Sequence, residues 1–214
     1  MKFEIGTEFP RYFQPAYPEE FQLFSHLETT CAIPQVLFAI TTYKANGKPN
    51  VCLHAWSCFH GDRTAFFAVM GCLYQHTHTY ANILREGCFC LNFLSLSYYD
   101  RLVATIHQNE VETDEFQVGE FSAGPCRKIH APAIREAFLN MECSLHSVQD
   151  LSGAGITAMV TGKVENVWVE EGMAQGYRRH GEQGFPLLFP GPQDLVTGAP
   201  NPTGIATLQL QKLD

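Results

Sequence analysis

Asn46-Gly47 lies between two runs rich in apolar and threonine residues, Gln35–Tyr43 and Asn50–Phe59. An Asn-Gly pair accepts the positive φ that a tight hairpin turn demands. The junction therefore predicts two antiparallel neighbours and commits the chain to sheet. Thr64–Met70 reads as a third strand and Cys88–Leu94 as a fourth. Leu139–Val148 and Thr157–Val169 alternate over lengths that suit long strands, and Ala206–Leu213 reads as a final one.

Helical spacing interrupts this pattern. Thr77–Glu86 sets Tyr80, Ile83 and Leu84 on one face, with Gly87 as a stop, and Tyr98–His107 does the same with Leu102, Val103 and Ile106. Shorter helical turns are expected at Pro18–His26, Ala133–Phe138 and Gly172–Arg179. Glu110–Gly124 reads as an acidic loop. Residues 1–30 are interrupted by Pro10, Pro15 and Pro18 and predict an N-terminal arm wrapping the core. Residues 181–204 hold five Gly and five Pro, which predicts no regular element. Phe185, Leu187, Leu188 and Phe189 give that stretch something to bury, so it is expected to be an extended C-terminal arm packed on this subunit or a partner. Strands separated by short helices predict a mainly β, barrel-like fold, one domain over 1–214, in preference to a doubly wound parallel sheet.

The formal charge is −8, from 14 basic and 22 acidic side chains. An acidic chain is not drawn to nucleic acid or anionic lipid, and no run reaches the length of a membrane span. Met1 to Pro10 is charged and lacks the apolar segment of a secretory signal. The eight cysteines sit mostly in apolar, strand-like runs, so they read as reduced core thiols of a cytoplasmic protein.

Several motifs are set aside. Gly153-Ala-Gly155-Ile-Thr-Ala158 matches a loose dinucleotide fingerprint, but a β-rich run follows where a helix is required, so it reads as a turn. No nucleophile elbow is present. His54, Cys58, His60, His76 and His78 crowd one region without a zinc-ligand spacing, and no metal site is expected. Glu19-Glu20 and Glu170-Glu171 read as solvated faces.

Two segments together carry chemistry. His76-Thr-His-Thr-Tyr-Ala-Asn82 opens a helix, where free N–H groups and the positive dipole end attract a phosphate. Thr77 and Thr79 add hydroxyls; His76 and His78 add positive charge when protonated. The competing reading is that Thr77 or Thr79 merely caps the helix. Asn50-Val-Cys-Leu-His-Ala-Trp-Ser-Cys58 supplies strand-end backbone groups, the small Ala55 and Ser57 and the large Trp56, a suitable wall for a flat polar-edged ring. The competing reading is that Trp56 is core and Asn50 caps a turn.

The stretch from Pro34 to Asn92 resembles the flavin reductase-like, flavoredoxin-type family. The resemblance rests on Gly-Lys-Pro-Asn50, Ala55-Trp56, Thr79-Tyr80-x-Asn82-Ile83 and Phe89-x-x-Asn92, in that order. Ala131-Pro132-x-Ile134-x-Glu136, Glu142-Cys143 and Gly162-Lys163-Val164 extend it to about residues 33–170. It implies an FMN-binding split β-barrel, usually a homodimer with FMN near the subunit interface. It also implies that Asn50, Trp56 and Thr79 contact FMN, with Thr79 near the phosphate and Ala55, Ser57, Cys58, His76, Thr77 and Asn82 as neighbours. Relatives often carry a basic residue in the segment matching Asn109–Phe116, which here has none; His76 and His78 are the candidates to replace it. The implied reaction is hydride transfer from NAD(P)H to FMN, without a separate nicotinamide domain. Alternatives are an electron carrier reduced by a protein partner, a non-enzymatic flavin-binding module, and an FMN-dependent amine oxidase.

Overall fold

The computed structural model describes residues 2–6, 8, 11, 26–191, 194, 196–199 and 202–211. The expected helix at Pro18–His26 lies outside the described residues except at His26. The chain divides into two compact units, a smaller one of Met1–Gln35 with Leu187–Ala206 and a larger one of Val36–Pro186 with Thr207–Asp214. Helix α1 (His26–Cys31) belongs to the smaller unit, and strand β1 (Gln35–Val36) stands at the boundary.

In the larger unit come β2 (Phe38–Tyr43), β3 (Pro49–His54), β4 (Ser57–Gly61), β5 (Phe66–Tyr74), α2 (His78–Glu86) and β6 (Cys88–Phe93). After them come α3 (Tyr99–His107), α4 (Glu115–Val118), β7 (Ala123–Pro125), β8 (Pro132–Ile134), β9 (Leu139–Gln149), β10 (Thr157–Val169) and α5 (Glu171–Ala174). Strands β11 (Pro186–Phe189) and β12 (Gly204–Thr207) pair with each other.

Seven strands form one antiparallel sheet in the order β3-β2-β6-β9-β10-β5-β4. Its two edges, β3 and β4, are consecutive in sequence and joined by Ala55-Trp56 alone. A flat sheet would hold those edges six spacings apart, about 29 Å. The link from His54 to Ser57 reaches about 11 Å at most. The sheet therefore curls until its edges face each other, without ladder pairing across the seam among the described residues. The molecule is mainly β, a split barrel.

The barrel interior holds Phe38, Ile40, Met70, Phe89, Leu91 and Phe93, all essentially inaccessible. Outside β2 and β3, a second cluster packs Ala39, Val51, Leu94, Leu102 and Phe116. Strands β2 and β6 are thus covered on both faces, which is why their sequences read as continuous apolar runs instead of alternating. Buried Asn92 anchors this layer: its Nδ2 donates to Thr41 Oγ1 at 2.9 Å, and its Oδ1 accepts from Ile134 N and Asn140 Nδ2, both at 2.8 Å.

Four expectations are corrected. The run Asn50–Phe59 is two strands on opposite edges, because Trp56 takes a left-handed backbone, φ 46°, that ends one and redirects the next. Ala133–Phe138 is not helical: Pro132–Ile134 pairs with Ala123–Pro125, and Asn92 binds the Ile134 N–H, so tertiary partners override local propensity. The loop Glu110–Gly124 contains α4, whose cap Asp114 accepts from Phe116 N and Gln117 N at 3.0 and 3.1 Å. The stretch 181–204 contains a strand, β11. Gly153–Ile156, as expected, lies in the turn between two strands, where Asp150 accepts from Gly153 N and Gly155 N; Thr157 and Ala158 already belong to β10.

Candidate functional site

The candidate site is the seam between β3 and β4–β5, with α2 packed on β3. Residues directly opposite in an antiparallel pair share a face. Asn50, Cys52 and His54 oppose Thr42, Ile40 and Phe38, so they turn toward the interior with Ile40 and Phe38. Helix α2 inserts Ile83 into the same cluster, with Tyr80 packed against it. The two sequence segments meet directly: Asn50 Nδ2 donates to Thr79 Oγ1 at 2.9 Å, and Asn82 Nδ2 donates to Thr42 Oγ1 at 3.0 Å. Asn50, Thr79 and Asn82 are all buried, so they form a polar layer between helix and strand.

Helix α2 begins because Thr77 caps it. The Thr77 hydroxyl accepts from Tyr80 N at 3.3 Å and donates to Tyr74 O at 2.8 Å, and the first intrahelical bond runs from Ala81 N to Thr77 O. The N–H groups of His78 and Thr79 stand ahead of that bond, free of the helix ladder. Gly87, at φ 66°, ends the helix and returns its N–H to Ile83 O. His76 is exposed and stacks on Tyr74 at 5.6 Å.

At the other end of the seam, the Ala55-Trp56 link is held by Gly71 N donating to Trp56 O at 2.7 Å. A β-carbon on Gly71 would stand 3.4 Å from that oxygen. The next residue, Cys72, is also left-handed, φ 51°, where the β5–β10 register slips. Two non-glycine residues in this conformation cost about 1–3 kcal/mol each, and here they flank one hydrogen bond. Such strain concentrates where a backbone must present groups to a ligand.

Two buried polar atoms here have no hydrogen-bond partner among the described residues, His54 Nε2 and Ser57 Oγ. Burial drives the His54 pKa down from 6.5 to about 4, against a backbone hydrogen bond to Gly71 that raises it, so the ring is neutral. Burial likewise raises the Cys52 thiol to about 11, although its contact with the Thr79 hydroxyl opposes the rise. Cys58 is exposed on β4, one residue out of phase with the inward Phe59.

The fixed cations near the site are already engaged. Lys44 Nζ lies 2.7 Å from Glu115 Oε1, with side chains only 3% and 1% exposed, and it also donates to Glu110 O and Thr113 O. Burial raises the Glu115 pKa, outweighing Lys44 and the Val51 N–H. Arg85 bonds Asn82 Oδ1 at 2.9 Å and pairs with Glu86. The acidic segment noted in the sequence therefore sequesters Lys44 and, through Glu112, Lys48.

Asn50, Thr79 and Asn82, expected from two separate segments, are placed together by the fold. Ala55 is buried, and Trp56 and Ser57 form the link and the start of β4. His54 and Gly71-Cys72 were not among the expected site residues; a period of two from Asn50 reaches His54, whereas Gly71-Cys72 carries no such signal. A separate cleft of about 280 Å³, walled by Pro125, Ile134, Arg135, Asn140 and Trp168, contains none of the predicted residues. Among the described residues no group of three or more His, Cys, Asp or Glu side chains is placed to hold a metal, and no helix is long and apolar enough to cross a membrane.

The chain belongs to the flavin reductase-like family: residues 31–190 match the flavin reductase like domain. A protein from Shewanella frigidimarina NCIMB 400, proposed as a flavin reductase with a split barrel domain, superposes with a TM-score of 0.71 at 17% identity, covering 94% of this chain and 99% of that one. A flavoredoxin from Methanosarcina acetivorans gives 0.64 at 17% identity, covering 85% and 88%. In sequence, the chain is 24% identical over 140 residues to an uncharacterised protein of Methanothermobacter thermautotrophicus; the match covers 65% of each, just under two thirds of that protein's length.

Proposed function

We propose that this chain is a cytoplasmic, homodimeric FMN-dependent oxidoreductase that takes its electrons from NAD(P)H. Membership of the flavin reductase-like family supports flavin chemistry. The observation that carries the assignment to this seam is the pair of unpartnered buried polar atoms, His54 Nε2 and Ser57 Oγ, beside the strained Ala55-Trp56 link. A flavin ring has N–H and C=O groups along one edge and apolar faces elsewhere, so it suits both the orphaned atoms and the aromatic wall. When bound, FMN supplies the hydride chemistry.

The protein's own groups bind and orient. The N–H groups of His78 and Thr79, at the positive end of α2, would hold the phosphate, with His76 and His78 adding charge when protonated. The Asn50–Thr79 bond fixes that helix start against β3. Trp56 would wall the ring while Ser57 and His54 meet its polar edge, and Ala55 and Gly71 keep the approach narrow.

Reconstitution with FMN, followed by anaerobic addition of NADH and of NADPH, tests this reading. A yellow complex bleached by either nucleotide supports it; a chain that takes up no flavin overturns it. The likeness to a flavoredoxin favours a second reading, an electron carrier. Flavin that resists both nucleotides yet is bleached by reduced ferredoxin would select that alternative.

A further inference from the structure

Behind β6, away from the seam, lie three thiols, Cys88, Cys90 and Cys126. Cys88 and Cys90 share one face of β6, whereas the Phe89 between them turns to the barrel interior with its partner Cys143 of β9. Cys126, just after β7, packs with Ile129 onto the buried cluster of Cys90, Ala131 and Ala133. That packing sets the Cys126 side chain against the small cluster in which Cys90 supplies the only thiol. Their exposures differ: Cys90 is wholly buried, whereas Cys126 is half-buried at the surface. The Cys126 segment is itself anchored, because the buried Glu142 carboxylate accepts from Arg127 N at 2.9 Å and Lys128 N at 2.6 Å.

An accessible thiol packed against the cluster of a buried one, on a segment held in place, is the arrangement in which oxidation at the outer sulfur can be resolved by the inner sulfur. We propose that Cys126 and Cys90 form an oxidative modification site for hydroperoxides, closing to a Cys90–Cys126 disulfide. In the first step the Cys126 sulfur attacks one peroxide oxygen, the O–O bond breaks, and the products are a Cys126 sulfenic acid and water. In the second the Cys90 sulfur attacks the Cys126 sulfur, the S–O bond breaks, and the departing hydroxide takes the Cys90 proton to leave as water. Two thiols are oxidised and one hydrogen peroxide is reduced to two waters. The Cys90 S–H now donates weakly to Asn92 Oδ1 at 3.7 Å, so closure withdraws it from the Asn92 network. The inference rests on packing alone and stands or falls separately from the flavin assignment.

The test is peptide mapping of the folded, fully reduced protein after treatment with hydrogen peroxide and blocking of the remaining thiols. The expected product is a Cys90–Cys126 cross-linked peptide, lighter than the sum of its parts by two hydrogens and lost on reduction. With Cys126→Ser the cross-link disappears. With Cys90→Ser or Cys90→Ala, dimedone labelling of Cys126 rises severalfold because its sulfenic acid is no longer resolved. The proposal is overturned if Cys90 and Cys126 remain blockable while exposed Cys58 is oxidised, or if Cys126 joins a cysteine other than Cys90. The wild-type map decides the matter even if a Cys90 variant fails to fold.

Discussion

The Asn50 carboxamide donates to the Thr79 hydroxyl across 2.9 Å, joining residues 29 positions apart with both side chains buried. That bond pins the start of α2 to the first residues of the barrel's edge strand β3. Everything placed at the helix start is therefore positioned by the sheet.

Thr79→Val keeps the shape and removes the acceptor, leaving a buried amide unsatisfied. A stability loss of about 1–3 kcal/mol in urea denaturation is expected, with weaker FMN binding. Thr79→Ser should restore most of both. If Thr79→Val is as stable as wild type, the bond does not pin the helix.

His54 makes stability depend on pH. Its folded pKa, about 4, lies below the ordinary 6.5. As pH falls through 6.5 the unfolded chain takes the proton first, so stability drops progressively down to about pH 4 and no further from this group. The full effect is on the order of 3 kcal/mol. His54→Leu should flatten that stretch of the stability-against-pH curve and weaken FMN at neutral pH. A curve of unchanged slope would count against the burial argument.

Glu142 acts at lower pH. Burial alone would raise its pKa, but the Asn166 and Trp168 side chains and the Lys128 and Arg127 N–H groups outweigh burial and hold it below the usual range. Its contribution is complete above the unfolded value of 4.5 and is lost as pH falls through the lower folded value. Glu142→Gln turns an NH₂ group toward existing donors and should cost about 1–3 kcal/mol at pH 7, less at acid pH where wild type has lost the same bonds. Thermal melts across that range provide the check.

Lys44→Met strands the Glu115 carboxyl in the core and should destabilise by about 3–5 kcal/mol. Adding Glu115→Leu removes the stranded group, so the double variant should recover much of the loss. A double-variant loss equal to the sum of the Lys44→Met and Glu115→Leu losses would show that the pair is not coupled.

The strands were legible because hairpin chemistry at Asn46-Gly47 and long alternating runs at β9 and β10 are local signals. The break at Ala55-Trp56 was not, since nothing local announces a left-handed tryptophan; the Gly71 N–H and sheet closure impose it. β8 was misread for a similar reason, its backbone being satisfied by Asn92 and by β7. Of the candidate site, Asn50, Thr79 and Asn82 stood out in their two segments, and the fold brings those segments into contact. The capture of Lys44 by Glu115 depends on residues brought together only by the fold.

The seam bears on how a guest molecule can enter. Elsewhere in the sheet, a flat molecule could slip between neighbouring strands only by tearing their rungs apart. Between β3 and β4 no ladder runs, and the Ala55-Trp56 link is tied to β5 instead, through the Gly71 N–H. A guest seated along that seam would therefore leave the barrel's own fabric whole.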